Sequence, residues 1–261
     1  MEVLILLGMG AVAGTFAGLL GIGGGIIIVP VLALVFQSQG TSIDVLMHVS
    51  IGTSLATIVI TSLSSIRAHQ KHKAIDWQVF RTITPGILLG GFLGAAIANV
   101  ISGKDLKLIF AVFMLLVAMQ MYFGNTSKPH RHLPATPGML SAGTMIGTMA
   151  SLMGVGGGSM TVPFLTWCNM EIRKAVATSA AIGLPIALAG TAGFVITGWG
   201  IEERPVWSFG YVNLPAFLSI VFASTLFAPV GAKIAHRVSP LRLRRFFALF
   251  LLIVSIRMFL S

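Results

Sequence analysis

GLLGIGGGIIIVP, Gly18 to Pro30, returns 133 residues later as SLMGVGGGSMTVP, Ser151 to Pro163, with seven of thirteen positions identical. Each copy interrupts an apolar run with glycine, at Gly21, Gly23, Gly24 and Gly25 and again at Gly154, Gly156, Gly157 and Gly158. A single helix from Val3 to Phe36 would run for about 50 Å at 1.5 Å per residue, well beyond a bilayer core of about 30 Å. Glycine costs about 1 kcal/mol relative to alanine inside a helix, so an unbroken helix would carry roughly 4 kcal/mol of avoidable penalty. The sequence therefore predicts a break at each glycine cluster, and paired breaks in corresponding places are the best sequence pointer to a transport site.

Composition sets the class. The 261 residues are 56% apolar and only 9% charged, against roughly 25% charged for a soluble protein. Ten apolar segments follow one another, at 3–20, 26–36, 45–66, 78–101, 106–123, 138–153, 159–168, 174–197, 209–235 and 243–260. An all-α polytopic membrane protein is expected. The formal net charge of +10 does not signal nucleic acid, because the basic residues fall in short loops between spans, where they set orientation. Met1 to Leu20 lacks a basic n-region and is expected to stay as a membrane segment.

The chain reads as a tandem duplication. GTSLATIVITSL from Gly52 matches ATSAAIGLPIAL from Ala177, and GAAIANVISGKDLKLIFA from Gly94 matches GAKIAHRVSPLRLRRFFA from Gly231. The expected units are a first membrane repeat at 1–123, a cytoplasmic linker at 124–136 and a second repeat at 137–261.

Whether each glycine break is a hairpin or a kink follows from charge. With a hairpin in each half, 13 of the 17 Lys and Arg fall on one side, leaving Lys104, Lys107, Arg204 and Arg257 on the other. With a single crossing per motif the asymmetry disappears, which the positive-inside rule disfavours. Each half then holds a broken-helix hairpin plus three transmembrane helices, and the halves enter the membrane in opposite senses as inverted repeats. Both termini are expected outside, in a bacterial inner membrane, with the hairpin tips meeting near the midplane.

A helix that restarts at a glycine tip points free N–H groups at it and carries about half a positive charge there. The tips Gly23, Gly24 and Gly25 and Gly156, Gly157 and Gly158, with Ser159, are therefore expected to bind an anion without arginine. Hydroxyls serve the same end, and Thr53, Ser54, Thr178 and Ser179 occupy matching positions in the two halves. Gly10 and Gly14, mirrored by Gly143 and Gly147, are four apart and read as helix-crossing glycines. Thr57, Thr61, Ser62 and Ser65 read as packing hydroxyls. All seven acids lie at loops or span ends, so no buried carboxylate relay is expected. His48 reads as structural. No metal, cofactor or nucleic acid is expected, and no enzyme site. A small anionic substrate and the lipid bilayer are the expected partners, while oligomeric state is open.

These motifs, with the basic loop before Ile75-Asp76-Trp77 and ATSAAIGLPIALAGTAGF from Ala177, resemble the TauE/SafE family of sulfite and organosulfonate permeases, the toluene-sulfonate uptake permease family. The resemblance covers essentially the full chain. It implies an inner-membrane carrier of small sulfur-containing anions, in several members an exporter. An anion channel, or a carrier of another small organic anion such as a carboxylate, is the alternative reading.

Overall fold

The structure is a computed structural model and describes residues 8, 10–12, 14–15, 25–123, 133–235 and 240–260, with the backbone alone at 228–235 and 240–244. Residues 8, 10–12, 14 and 15 are helical, and after them come α1 (Gly25–Ser38), α2 (Ile43–Lys71), α3 (Trp77–Val100) and α4 (Gly103–Phe123). The second half supplies α5 (Thr136–Leu152), α6 (Gly158–Trp167), α7 (Ile172–Thr197), α8 (Leu214–Ala235) and α9 (Pro240–Leu260). A two-stranded ribbon, β1 (Ser208–Phe209) and β2 (Val212–Asn213), precedes α8. Helix bounds follow the apolar segments closely. The ribbon lies inside a segment read as continuous helix, and positive φ at Trp207 and Gly210 turns the chain there.

Among the described residues, α2, α3, α4 and α7 are long and apolar enough to cross a membrane, with α1 and part of α8 shorter. Leucine, phenylalanine and isoleucine side chains stay exposed along α3, among them Leu89, Phe92, Leu93 and Ile97. In water this band would be a liability; in hydrocarbon it has no cost. The protein is an all-α multi-pass membrane protein.

Small residues bring the helices together. A methyl group on Gly94 would come within 2.5 Å of the Thr148 carbonyl oxygen, and one on Gly143 within 2.6 Å of the Ile83 carbonyl oxygen. Gly86, Gly90 and Gly94 therefore lie on α5 with backbones in contact, as small-residue seams permit in lipid. Gly10 likewise lies against Ile220 and Ala223 of α8, and Gly14 against Ser224. The crossing role expected of Gly10, Gly14, Gly143 and Gly147 is what these contacts show.

The same contacts give helix directions. Along α3, Gly86 meets Leu140 and Gly94 meets Thr148 and Ser151, so α3 and α5 run parallel. Gly91 meets Ala189 and Gly193 meets Ala95, so α7 also runs parallel to α3. Helices α5 and α7 thus begin at the same end of the molecule, and the intervening α5–α6 unit returns to the end where it started. Helices α2 and α7 run antiparallel, with Gly52 beside Phe194, Leu55 beside Gly190 and Ser62 beside Gly183.

Candidate functional site: the second glycine tip

Helix α5 ends at Leu152, and Gly154 at φ +64° turns the chain. Such a φ is strained for any residue with a Cβ, and at Gly154 a Cβ would also come within 2.8 Å of Val29 on α1. The chain then passes through Val155 and Gly156 into α6. Gly25, the first residue of α1, lies against Gly154 and Val155, since its methyl derivative would meet the Gly154 carbonyl oxygen at 2.6 Å. The start of α1 and the second tip are therefore in contact. Gly23 and Gly24 lie outside the described residues.

A cleft opens where this tip faces α2 and α7. It is lined by Gly156, Gly157 and Gly158, by Ile58, Thr61, Ser62 and Ser65 of α2, and by Ser179, Ala180 and Gly183 of α7. Spacings of three and four residues put the α2 set on one helix face. Gly157 is as close to α7 as glycine permits: a Cβ there would lie 2.9 Å from the Ser179 carbonyl oxygen. The cleft measures about 20 Å³, room for about one water molecule.

Its chemistry is that of donors. The first bond into α6 runs from the Thr161 N–H to the Gly157 carbonyl at 2.8 Å, so the N–H groups of Gly158, Ser159 and Met160 have no helical acceptor. Three hydroxyls around the tip, those of Ser159, Thr161 and Ser179, are buried with no hydrogen-bond partner among the described residues. Leaving a buried polar group unsatisfied costs about 1–3 kcal/mol, and of the three Ser179 alone lines the cleft.

The matched hydroxyls divide. Thr53 and Thr178, both fully buried, act as braces. The Asn213 N–H donates to Thr53 Oγ1 at 2.9 Å, and the Asp76 N–H donates to Thr178 Oγ1 at 2.9 Å. Asn213 and Asp76 are themselves equivalent caps: Asn213 Oδ1 accepts from the Ala216 N–H at 3.0 Å, and Asp76 Oδ1 from the Gln78 and Val79 N–H groups at 3.1 Å. Ser54 Oγ donates to the Gly154 carbonyl at 2.8 Å, holding the second tip against α2. Of the four, Ser179 alone lines the cleft.

The cleft instead recruits Thr61, Ser62 and Ser65, which the sequence suggested as packing groups. Thr57 does turn back on its own helix, donating to the Ser54 carbonyl at 2.7 Å, and Thr61 to the Ile58 carbonyl at 3.3 Å. The missed signal was the 58, 61, 62, 65 spacing, which continues the buried face of α2 past its midpoint.

At the end of α2 where His48 lies, the loop before α8 closes over the helix. His48 Nε2–H donates to the Ala98 carbonyl at 2.8 Å, and its ring stacks on Tyr211 with centroids 5.1 Å apart. That fits the structural reading of His48. Burial raises the Tyr211 phenol above its usual pKa, partly opposed by the Arg204 guanidinium, while Arg204 itself donates to the Ile201 and Gly210 carbonyls.

The family model described as Sulfite exporter TauE/SafE matches residues 6–258. The chain belongs to the TauE/SafE family. Among family relatives, a "Probable membrane transporter protein" of Haemophilus influenzae is 36% identical over 260 residues, covering 99% of this chain and 98% of that one. The "Probable membrane transporter protein MJ0441" of Methanocaldococcus jannaschii is 30% identical over 250 residues, 92% and 89% of the two chains. The Bacillus subtilis protein YunE, with the same descriptive name, is 31% identical over 221 residues, 76% and 80%. No solved structure matches the chain. The family and the relatives' names indicate that this TauE/SafE protein is a membrane transporter rather than an enzyme.

Proposed function

We propose that this transporter carries a small sulfur-containing oxyanion, sulfite or an organosulfonate, outward across a bacterial inner membrane, through a site at the second glycine tip. The observation that carries the reading is the Ser179 hydroxyl, fully buried, without a partner among the described residues and lining a cleft together with Gly156 to Gly158. An anion there would accept hydrogen bonds from Ser179 and Ser62 and from the N–H groups opening α6. The helix start supplies about half a unit of positive charge. Hydroxyls and amides avoid the cost of a buried cation, about 2.5–3.5 kcal/mol at mid-membrane on the insertion scale.

Alternating access between two inverted halves is the proposed mechanism. The antiparallel course of the repeat partners α2 and α7 supports the inversion, as does the returning α5–α6 unit. At about 20 Å³ the cleft is too narrow for a whole oxyanion, so α6 must shift against α2 for loading, as in a carrier with an occluded state. Thr53–Asn213 and Thr178–Asp76 tie opposite ends of the two central helices to the caps of α8 and α3. Opening one end while the other brace holds is the simplest cycle these contacts permit. Both termini then face the periplasm, with 1–123 and 137–261 as the moving halves joined by the 124–136 linker.

The test is flux into proteoliposomes of sulfite, sulfonates, sulfate and small carboxylates, with and without a proton gradient. Saturable movement and counterflow of sulfur anions is the expected result. Movement of carboxylates without any sulfur anion overturns the substrate, and large unitary currents without counterflow overturn the carrier.

A further inference from the structure

Helices α4 and α9 pair with each other. Ser255 Oγ donates to the Ala111 carbonyl at 2.9 Å, and farther along the pair the last turn of α4 faces the region of α9 around Leu249. The two helices are therefore antiparallel, and the start of α9 lies at the end of α4. There they part to leave a groove of about 350 Å³, lined by Ala118, Met119 and Tyr122 of α4 and by Ala248, Leu249 and Leu252 of α9. Small residues, Ala118 and Ala248, form its floor. Met119, Tyr122 and Leu249 remain exposed at its walls.

The groove is apolar along its length and basic at its mouth. Arg245, which is exposed, precedes Leu249 by four residues and Leu252 by seven, so it stands on the groove's face of α9, one turn beyond the lining. Arg242 and Arg244 belong to the same first turns of α9 in the sequence, and there is no acid between Asp105 and Glu171 or after Glu203. Tyr122 and Phe123 supply aromatic rings at the end of α4, the depth at which such side chains favour the headgroup boundary.

We propose that this groove is a binding site for an acidic phospholipid, with an acyl chain along Ala118 and Ala248 and the headgroup phosphate on Arg245. A long apolar slot with a cation at one end matches a lipid's own division into tail and phosphate. A second copy of the chain is the less favourable occupant, because a two-fold axis along the membrane normal would place the arginine-rich starts of both α9 helices side by side.

Native mass spectrometry of the full-length protein, released from mixed phosphatidylglycerol and phosphatidylcholine micelles, tests it. Phosphatidylglycerol is expected to be retained about five-fold over phosphatidylcholine, the preference one basic group at a membrane surface confers. Arg245→Glu should abolish that preference, and Arg245→Lys should keep most of it. Ala118→Trp, which fills the groove floor, should remove the retained lipid of either kind. Arg245 is exposed, so its variants report even if the tryptophan variant does not fold. Equal retention of the two lipids by the wild-type protein, or a preference unmoved by Arg245→Glu, overturns the proposal. So does a dimer that Ala118→Trp dissociates with lipid retention unchanged.

Discussion

Thr53-Ser54 on α2 and Thr178-Ser179 on α7 are the same dipeptide in the two copies of a duplicated sequence, yet only the threonines do the same thing. Each threonine accepts the backbone N–H of a helix-capping residue, Asn213 in one case and Asp76 in the other. The serines have diverged in use. Ser54 is spent on the Gly154 carbonyl, while Ser179 has no partner among the described residues and lines the cleft. The surroundings diverge too: Thr61, Ser62 and Ser65 on α2 correspond to Ile186, Ala187 and Gly190 on α7. Duplication has preserved the bracing, while among the described residues the hydroxyls of α2 line a cleft at the second tip.

The largest effect should come from the tip itself. Gly157→Leu puts a side chain where even a Cβ lies 2.9 Å from the Ser179 carbonyl oxygen, and transport should fall to the level of protein-free vesicles while the protein still inserts. Wild-type flux would remove this tip from the pathway.

The serines should then separate. Ser179→Ala removes a donor to an anion, worth about 1.5–3 kcal/mol, so affinity in a binding titration should weaken roughly 10- to 150-fold. Thermal stability should hold or rise, because an unsatisfied hydroxyl is gone. Ser54→Ala should do the opposite, costing about 1–3 kcal/mol of stability by orphaning the Gly154 carbonyl, with affinity unchanged. If the two variants behave alike, the asymmetry drawn here is false.

Smaller and equal losses are expected of the braces. Thr53→Val and Thr178→Val each strand one backbone N–H, at about 1–3 kcal/mol, and heat denaturation should give matching shifts. A clear mismatch would mean the two ends of the molecule are not held in the same way. The least effect is expected of Ala187→Ser, which places a hydroxyl at the α7 counterpart of Ser62. Flux should not change; a rise would reveal a second anion station on the first tip.

Much of this was legible in the residues. The two glycine clusters, the helix bounds and the crossing glycines followed from periodicity and from the cost of glycine within a helix, because those properties are local. Which hydroxyl faces which partner is not local. Thr53 meets Asn213 across 160 residues and Ser54 meets Gly154 across 100, and matching sequence could not say that the threonines would be consumed and Ser179 left open. The β1–β2 ribbon also escaped, since Phe209 to Val212 is as apolar as the helix it precedes.

By itself, then, the sequence determined a membrane-embedded helical protein with a duplicated glycine cluster, because apolar length, charge placement and backbone propensity act within a single segment. Only the tertiary structure decided that the second tip, Ser179 and the Thr61 to Ser65 face of α2 share one cleft. Hydrogen bonding between distant segments assigns each buried hydroxyl either to a backbone partner or to an open face, and that assignment exists only once the helices are in contact.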